Sequence, residues 1–162
     1  MVSSTNDFAK DLIYCEISNF GIIISDLQSK GRGKYGNVWI SKKGNIFCTI
    51  YKEIKNQNCI FQAQFSCLNI VKKYFVNLGI NMSYITIKKP NDILIKNKKI
   101  CGILIESIKK NNKLFLIAGI GINLISNPNI KKYKTVFLNK FVRKKIQKID
   151  FINYLKKNIN KI

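Results

Sequence analysis

The sequence predicts an α+β domain, a mixed and mostly antiparallel sheet with helices packed on it. Three observations carry that expectation. Most apolar runs are short and β-branched, and brief polar turns separate them. One long segment instead spaces its apolar residues at steps of three and four. The order of elements (helix, strands, helix, many strands, helix) is that of α+β.

The elements follow in chain order. Ser3, Ser4, Thr5 and Asn6 form an N-cap cluster, with Phe8, Leu12 and Ile13 at helical spacing after it. Gly21 to Leu27 reads as a buried strand, and Gln28 to Asn37 as a polar, glycine-rich loop. Val38 to Ser41 and Ile46 to Tyr51 read as two strands joined at Lys43-Gly44-Asn45. Phe61, Phe65, Leu68, Val71, Phe75 and Leu78 mark an amphipathic helix that stops at Gly79. Ile85 to Lys88, Ile93 to Ile95, Ile100 to Ser107 and Leu114 to Ile120 are further strands. Asp150 is read as the cap of a last helix bearing Phe151, Ile152, Leu155 and Ile159. No repeat or low-complexity linker divides the chain, so residues 1–162 are read as one domain.

Composition removes several classes of chemistry. The chain has no histidine, so Ser-His-Asp hydrolysis, Cys-His proteolysis and most zinc catalysis are excluded. Five cysteines form no C-x-x-C pair; four lie in apolar segments and Cys59 in a polar one, which points to buried reduced thiols. No apolar run is long enough for a membrane span, and Met1 to Asp11 lack the features of a secretory signal. The expected location is the cytoplasm.

The net charge of +21 invites a nucleic-acid reading, a basic protein drawn to phosphates. However, only Arg32 and Arg143 among the 29 basic residues are arginine, and the lysines are spread along the whole chain. Groove readers concentrate arginine where bases are contacted. Compositional drift toward Lys, Asn and Ile explains the charge better, while a basic surface still attracts anionic substrates.

Three motifs carry the chemistry. Gly31-Arg32-Gly33-Lys34-Tyr35-Gly36 gives a backbone that can approach an anion, a forked donor and a point charge. It is neither a Walker A loop nor a dinucleotide turn. Lys88-Lys89-Pro90-Asn91-Asp92 sets a lysine at a strand end before a proline-fixed turn, where it can neutralise developing charge; Asp92 is an acidic residue that could reach a Mg²⁺ ion. Ala118-Gly119-Ile120-Gly121-Ile122-Asn123 strips side chains from one face of a strand, so that a ligand or another backbone can lie there. Alone, the first two motifs read better as an ordinary basic loop and an ordinary β-turn, and the third fits a bulge or close strand packing equally well.

As an ordered set, S-T-N, Q-x-x-G-R-G-K-x-G-N-V-W, K-x-P-N-D, G-I-L-x-E and G-I-G-I-N resemble the biotin–protein ligase family across roughly residues 3 to 124. The resemblance implies a catalytic domain related to class II aminoacyl-tRNA synthetases. It implies that ATP, with Mg²⁺, activates biotin to biotinyl-5′-AMP, and that a lysine of a biotin carboxyl carrier domain then takes the biotin. By the same resemblance Ser4, Thr5, Asn6, Gln28, Gly31, Arg32, Gly33, Lys34 and Lys88 belong to the biotin site. Arg32, Lys34, Trp39, Lys88 and Asn123 belong to the ATP site, and Arg32 and Lys88 are the catalytic pair. No metal ligands are assigned. Lys34 replaces a usual second arginine, and Lys89 a usual tryptophan. Neither the family's N-terminal helix-turn-helix module nor its SH3-like C-terminal domain is recognisable. Two alternatives remain, a basic nucleic-acid-binding protein and a scaffold relative that binds biotin without turnover.

Overall fold

Alternation along the strands decides the layers of the fold. In the computed structural model, which describes residues 1–162, β1 (Phe20–Ser25), β2 (Ile46–Ile54), β3 (Ile85–Lys88), β4 (Asp92–Ile95), β5 (Lys98–Lys110) and β6 (Lys113–Ile122) form one sheet. Its order is β1-β2-β6-β5-β4-β3. Every pairing between these strands is antiparallel, so the parallel component that was expected shrinks to isolated bridges such as Lys99 with Thr135.

Successive side chains of a strand point to opposite faces. Ile46, Cys48 and Ile50 of β2, with Ala118, Ile120 and Ile122 of β6, face one way. There they meet helices α2 (Asn58–Asn77) and α3 (Lys148–Asn158) in the main core of 25 buried residues. Tyr51, Phe115 and Ile117 face the other way, against Ala9 and Ile13 of α1 (Thr5–Tyr14). The result is one helix, a sheet, and two helices in layers, with α1 covering only part of its face.

The structure corrects several sequence expectations. Val38 to Ser41 is not a strand: only Val38 bridges, to Arg32, and Trp39 N–H donates to Gly31 O at 2.9 Å. Its β-forming residues serve a loop closed on itself. The segment read as Gly21 to Leu27 spans Phe20–Ser25 instead, because Ser25 folds back onto Leu27 O at 2.7 Å. Asp150 does not cap α3 from the N-cap position. Gln147 does, and Asp150 completes the capping box from the first turn. Cys15 is exposed just past α1 rather than buried. In α2 the inward stripe is Ala63, Cys67, Leu68, Ile70, Val71, Tyr74 and Phe75, which leaves Phe61 and Phe65 out of phase at 72% and 54% exposure.

Candidate functional site

One row of residues runs across the sheet beside the N-terminus of α1. Phe47 is opposite Gly121, Gly121 opposite Gly102, Gly102 opposite Asp92, and Asp92 opposite Lys88. Two glycines at the centre of that row leave a floor without side chains. A cavity of about 400 Å³ stands on it, lined also by Ser4, Thr5, Asn6, Gln28 and the loop after Gly31. The neighbouring row, Thr49, Gly119 and Leu104, forms the side of the cavity nearer α1.

Thr5 and Asn6, which open α1, are polar and buried, and their side chains are hydrogen-bonded. Thr5 N–H and Oγ1 donate to Gln28 Oε1 at 2.8 and 3.1 Å, and Gln28 Nε2 donates to Ser41 Oγ at 3.2 Å. Thr49 Oγ1 donates to Asn6 Oδ1 at 2.6 Å and lies 2.8 Å from Thr5 Oγ1. Gly119 is required here, since a Cβ on it would stand 2.3 Å from Asn6 Oδ1. This is a neutral hydrogen-bonding wall fixed by three elements, its satisfied groups held in low-entropy positions.

Trp39 covers the glycine floor. A Cβ at Gly102 or Gly121 would fall 2.7 or 2.6 Å from its indole ring, so both glycines are needed for that contact. Lys99 Nζ sits 5.4 Å from the ring centre and 5.3 Å from that of Tyr133, joining the indole to the segment after β6. The loop itself turns through Tyr35 and Gly36 at positive φ, and Gly33 N–H donates to Asn37 O at 2.6 Å.

Arg32 is held by two carboxylates. Its Nε and Nη2 donate to Asp7 at 3.2 and 2.6 Å, and its Nη1 and Nη2 donate to Glu106 at 3.0 and 2.7 Å. Four of the five donors of the guanidinium are thereby used. Glu106 also accepts from Lys10 Nζ at 2.8 Å and Asn6 Nδ2 at 2.7 Å. Partial burial pushes the Glu106 carboxyl up, but hydrogen bonds from Arg32, Lys10 and Asn6 outweigh it and hold the group below the usual glutamate range. Burial alone would lower Arg32, and Glu106 and Asp7 together raise it. A depressed carboxylate stabilises the fold above its unfolded pKa, and that contribution disappears as pH falls through its folded value. Acidification below about pH 4.3 should therefore loosen this junction. Acid titration of the unfolding midpoint checks this, because Glu106→Gln should flatten the curve in that window.

The remaining cations differ from Arg32. None of the eight ion pairs in the chain involves Lys34, Lys88 or Lys132, all of which line the cavity. The one acidic residue in the lining is Asp92, which pairs with Lys99 at 2.8 Å. A lone carboxylate already bound to an ammonium does not fit a protein-held Mg²⁺. The potential at the mouth is therefore positive and suits a polyphosphate.

Ser4, Thr5, Asn6, Gln28, Arg32, Gly33, Lys34, Trp39 and Lys88 thus gather at one cavity. Gly31 stands just behind it, buried against the Trp39 carbonyl. Asn123 does not join them. Its carboxamide is buried and donates to Val136 O at 3.0 Å, so it ties β6 to the following segment. Sequence reasoning missed Asp7, Lys10, Thr49 and Tyr133. Thr49 was detectable as the one polar residue in I-F-C-T-I-Y, whereas Glu106 already stands in the G-I-L-x-E motif, without a role assigned to it.

Residues 1–123 match the model of the biotin/lipoate A/B protein ligase family. Biotin–protein ligase 2 of Arabidopsis thaliana is 31% identical over 127 residues, which is 76% of this chain and 38% of that protein. The chain thus spans well under half the length of that curated relative. Among solved structures, the Leishmania major biotin protein ligase in complex with biotin superposes with a TM-score of 0.83 at 23% identity, covering 98% of this chain and 71% of that one. The Aquifex aeolicus biotin protein ligase in complex with biotin and ATP gives 0.72 at 24% identity, covering 98% and 66%. The layered antiparallel fold is shared with both.

Proposed function

The chain belongs to the biotin/lipoate A/B protein ligase family, and we propose that it is the catalytic core of a biotin–protein ligase. It uses ATP to convert biotin to biotinyl-5′-AMP with release of pyrophosphate. It then passes biotin to a lysine of a biotin carboxyl carrier domain, that of acetyl-CoA carboxylase being the expected acceptor. The observation that carries this reading is one cavity with two chemistries. Thr5, Asn6 and Gln28 form a fixed neutral wall suited to a cyclic urea, while Lys34 and Lys88 in the same lining are cations without carboxylate partners.

Both reactants are anions, so the first step gathers negative charge. The biotin carboxylate attacks the α-phosphorus, and the bond to the pyrophosphate oxygen breaks. Lys88, at the end of β3 on the cavity floor row, meets the charge that grows on the α-phosphate oxygens. Arg32 offers its one remaining N–H toward the carboxylate, and the loop through Trp39 keeps water from the mixed anhydride. Mg²⁺ enters as the counter-ion of the nucleotide, and the side chains here add no site of their own for it. In the second step the acceptor lysine, as the free amine, attacks the acyl carbon and expels AMP. Five cysteines that are all free thiols fit a reducing compartment, the cytoplasm. No helix is long and apolar enough to cross a membrane.

The test is biotin-dependent pyrophosphate release, followed by labelling of a carrier domain. Release that needs biotin supports the ligase. Biotin binding without release would instead identify a scaffold relative. Arg32→Lys should weaken biotin binding at least tenfold, about 1.4 kcal/mol, because an ammonium cannot keep the fork to Asp7 and Glu106 and still face a ligand. Titration calorimetry reads this directly, and unchanged affinity would remove Arg32 from the site.

A further inference from the structure

Glu106 lies on β5, away from the cavity lining, yet it joins three parts of the site. Its carboxylate takes the Arg32 fork at 3.0 and 2.7 Å, Lys10 at 2.8 Å and Asn6 at 2.7 Å. Those partners come from the glycine-rich loop and from both ends of the first two turns of α1. With 19% of its side chain exposed, Glu106 is the better buried of the two carboxylates on Arg32, since Asp7 is at 36%. Charge around this junction balances, with Arg32 and Lys10 set against Asp7 and Glu106. The guanidinium is therefore fastened rather than offered as a free cation. Lys34 and Lys88 are left to supply the net positive charge.

We propose that Glu106 is a positioning residue: it pins Arg32 to the sheet and so holds the loop from Gly31 to Trp39 closed over the glycine floor. The physical basis is rigidity. Bidentate charge-assisted bonds fix both distance and plane, and a half-buried carboxylate loses little of their strength to solvent. Asp7 alone holds Arg32 from the more exposed side, on a helix that makes no hydrogen bond or ring contact with Trp39. Loss of the Glu106 charge leaves Arg32 to follow Asp7, and the indole then loses its register on Gly102 and Gly121. The same carboxylate also orients Asn6, whose Oδ1 accepts from Thr49. The neutral wall and the loop are in this way set by one group.

The proposal rests on the ligase reading only for its kinetic consequence, and its first test needs no ligand. Trp39 is the single tryptophan, so its fluorescence reports the loop alone. Acrylamide quenching of Trp39 should rise at least twofold in Glu106→Gln and by a similar factor in Arg32→Gln. The double variant should be no more quenched than either single one, because both changes cut the same link. In the enzyme assay, Glu106→Gln should raise the KM for biotin about tenfold, more than it lowers kcat, since loop order acts first on binding. A merely structural role would lower the unfolding midpoint without this split. Unchanged quenching in Glu106→Gln, or additive quenching in the double variant, overturns the proposal. Should Glu106→Gln fold poorly, Arg32→Gln asks the same question from the loop side, and unchanged quenching there overturns it equally. The quenching pattern in the variants, together with a wild type that shows no biotin-dependent pyrophosphate release, would count against the ligase reading alone.

Discussion

Replacing Lys88 by alanine should leave the protein folded and cut biotin-dependent pyrophosphate release by about 10²–10³, the usual cost of one preorganised donor at a developing oxyanion. The lysine is exposed at the end of β3, so its removal creates no cavity. It stands in the floor row with Asp92, Gly102, Gly121 and Phe47, which fixes its backbone across five strands. Unlike Arg32, it has no carboxylate partner, so its full charge faces the cavity. Charge moves onto the α-phosphate oxygens only as biotin attacks, so the loss should fall on kcat more than on the KM for biotin. Transfer from preformed biotinyl-AMP has already crossed that barrier and should suffer less. Near wild-type rates in both half-reactions would reduce Lys88 to a surface lysine.

Much of this site is legible in the sequence because its parts are backbone requirements. Gly119, Gly121 and Gly102 stand where a side chain would strike Asn6 or the Trp39 ring, and only glycine meets that condition. A glycine inside an apolar strand is visible without coordinates. Strand periodicity is equally visible, and it assigned Ile85–Lys88 to its observed bounds. What periodicity cannot show is which partner a residue prefers. Val38, Trp39 and Ile40 look like strand residues, yet the indole gains more by covering two glycines than by joining a ladder. Asn123 shares its motif with Gly119 and Gly121, but as the first residue past β6 it turns inward to Val136 instead of toward the cavity.

The ion-pair junction illustrates the other limit. Asp7, Lys10, Arg32 and Glu106 are separated by as many as 99 positions, and nothing in the sequence pairs Arg32 with Glu106, which stand in separate motifs, or gives Asp7 and Lys10 a role. They meet only because α1 lies across β1, β2 and β6 and reaches the side of β5, on the face that α2 and α3 leave open. In a chain with eight acidic residues, two of them on one arginine is a large share. Compositional drift toward lysine would not produce this arrangement.

Phe151→Ala should destabilise the protein by about 3–5 kcal/mol, as truncation of a fully buried phenylalanine does, and melting should remain a single transition. Phe151 lies on α3, beyond the residues matched by the family model, which end at 123. It is nevertheless completely buried and meets Tyr74 of α2 edge-on, with ring centres 5.1 Å apart. Ile152 and Leu155 enter the same core as Ile50, Phe75 and Ile120. The chain between β6 and α3 is stitched to that core as well. Val136 N–H donates to Lys99 O at 3.0 Å, and Leu138 N–H to Asn123 O at 2.8 Å. Tyr133, from that stretch, lines the cavity beside Trp39. Residues 124–162 therefore complete the back of the sheet and one side of the site. If they fold with it as one unit, removing the Phe151 ring lowers the midpoint of the whole protein by on the order of 10 °C. Calorimetry and circular dichroism should then report the same midpoint. A loss below about 1 kcal/mol, within the range of surface substitutions, or a separate low-temperature step would mean that α3 is only an appendage to the ligase core.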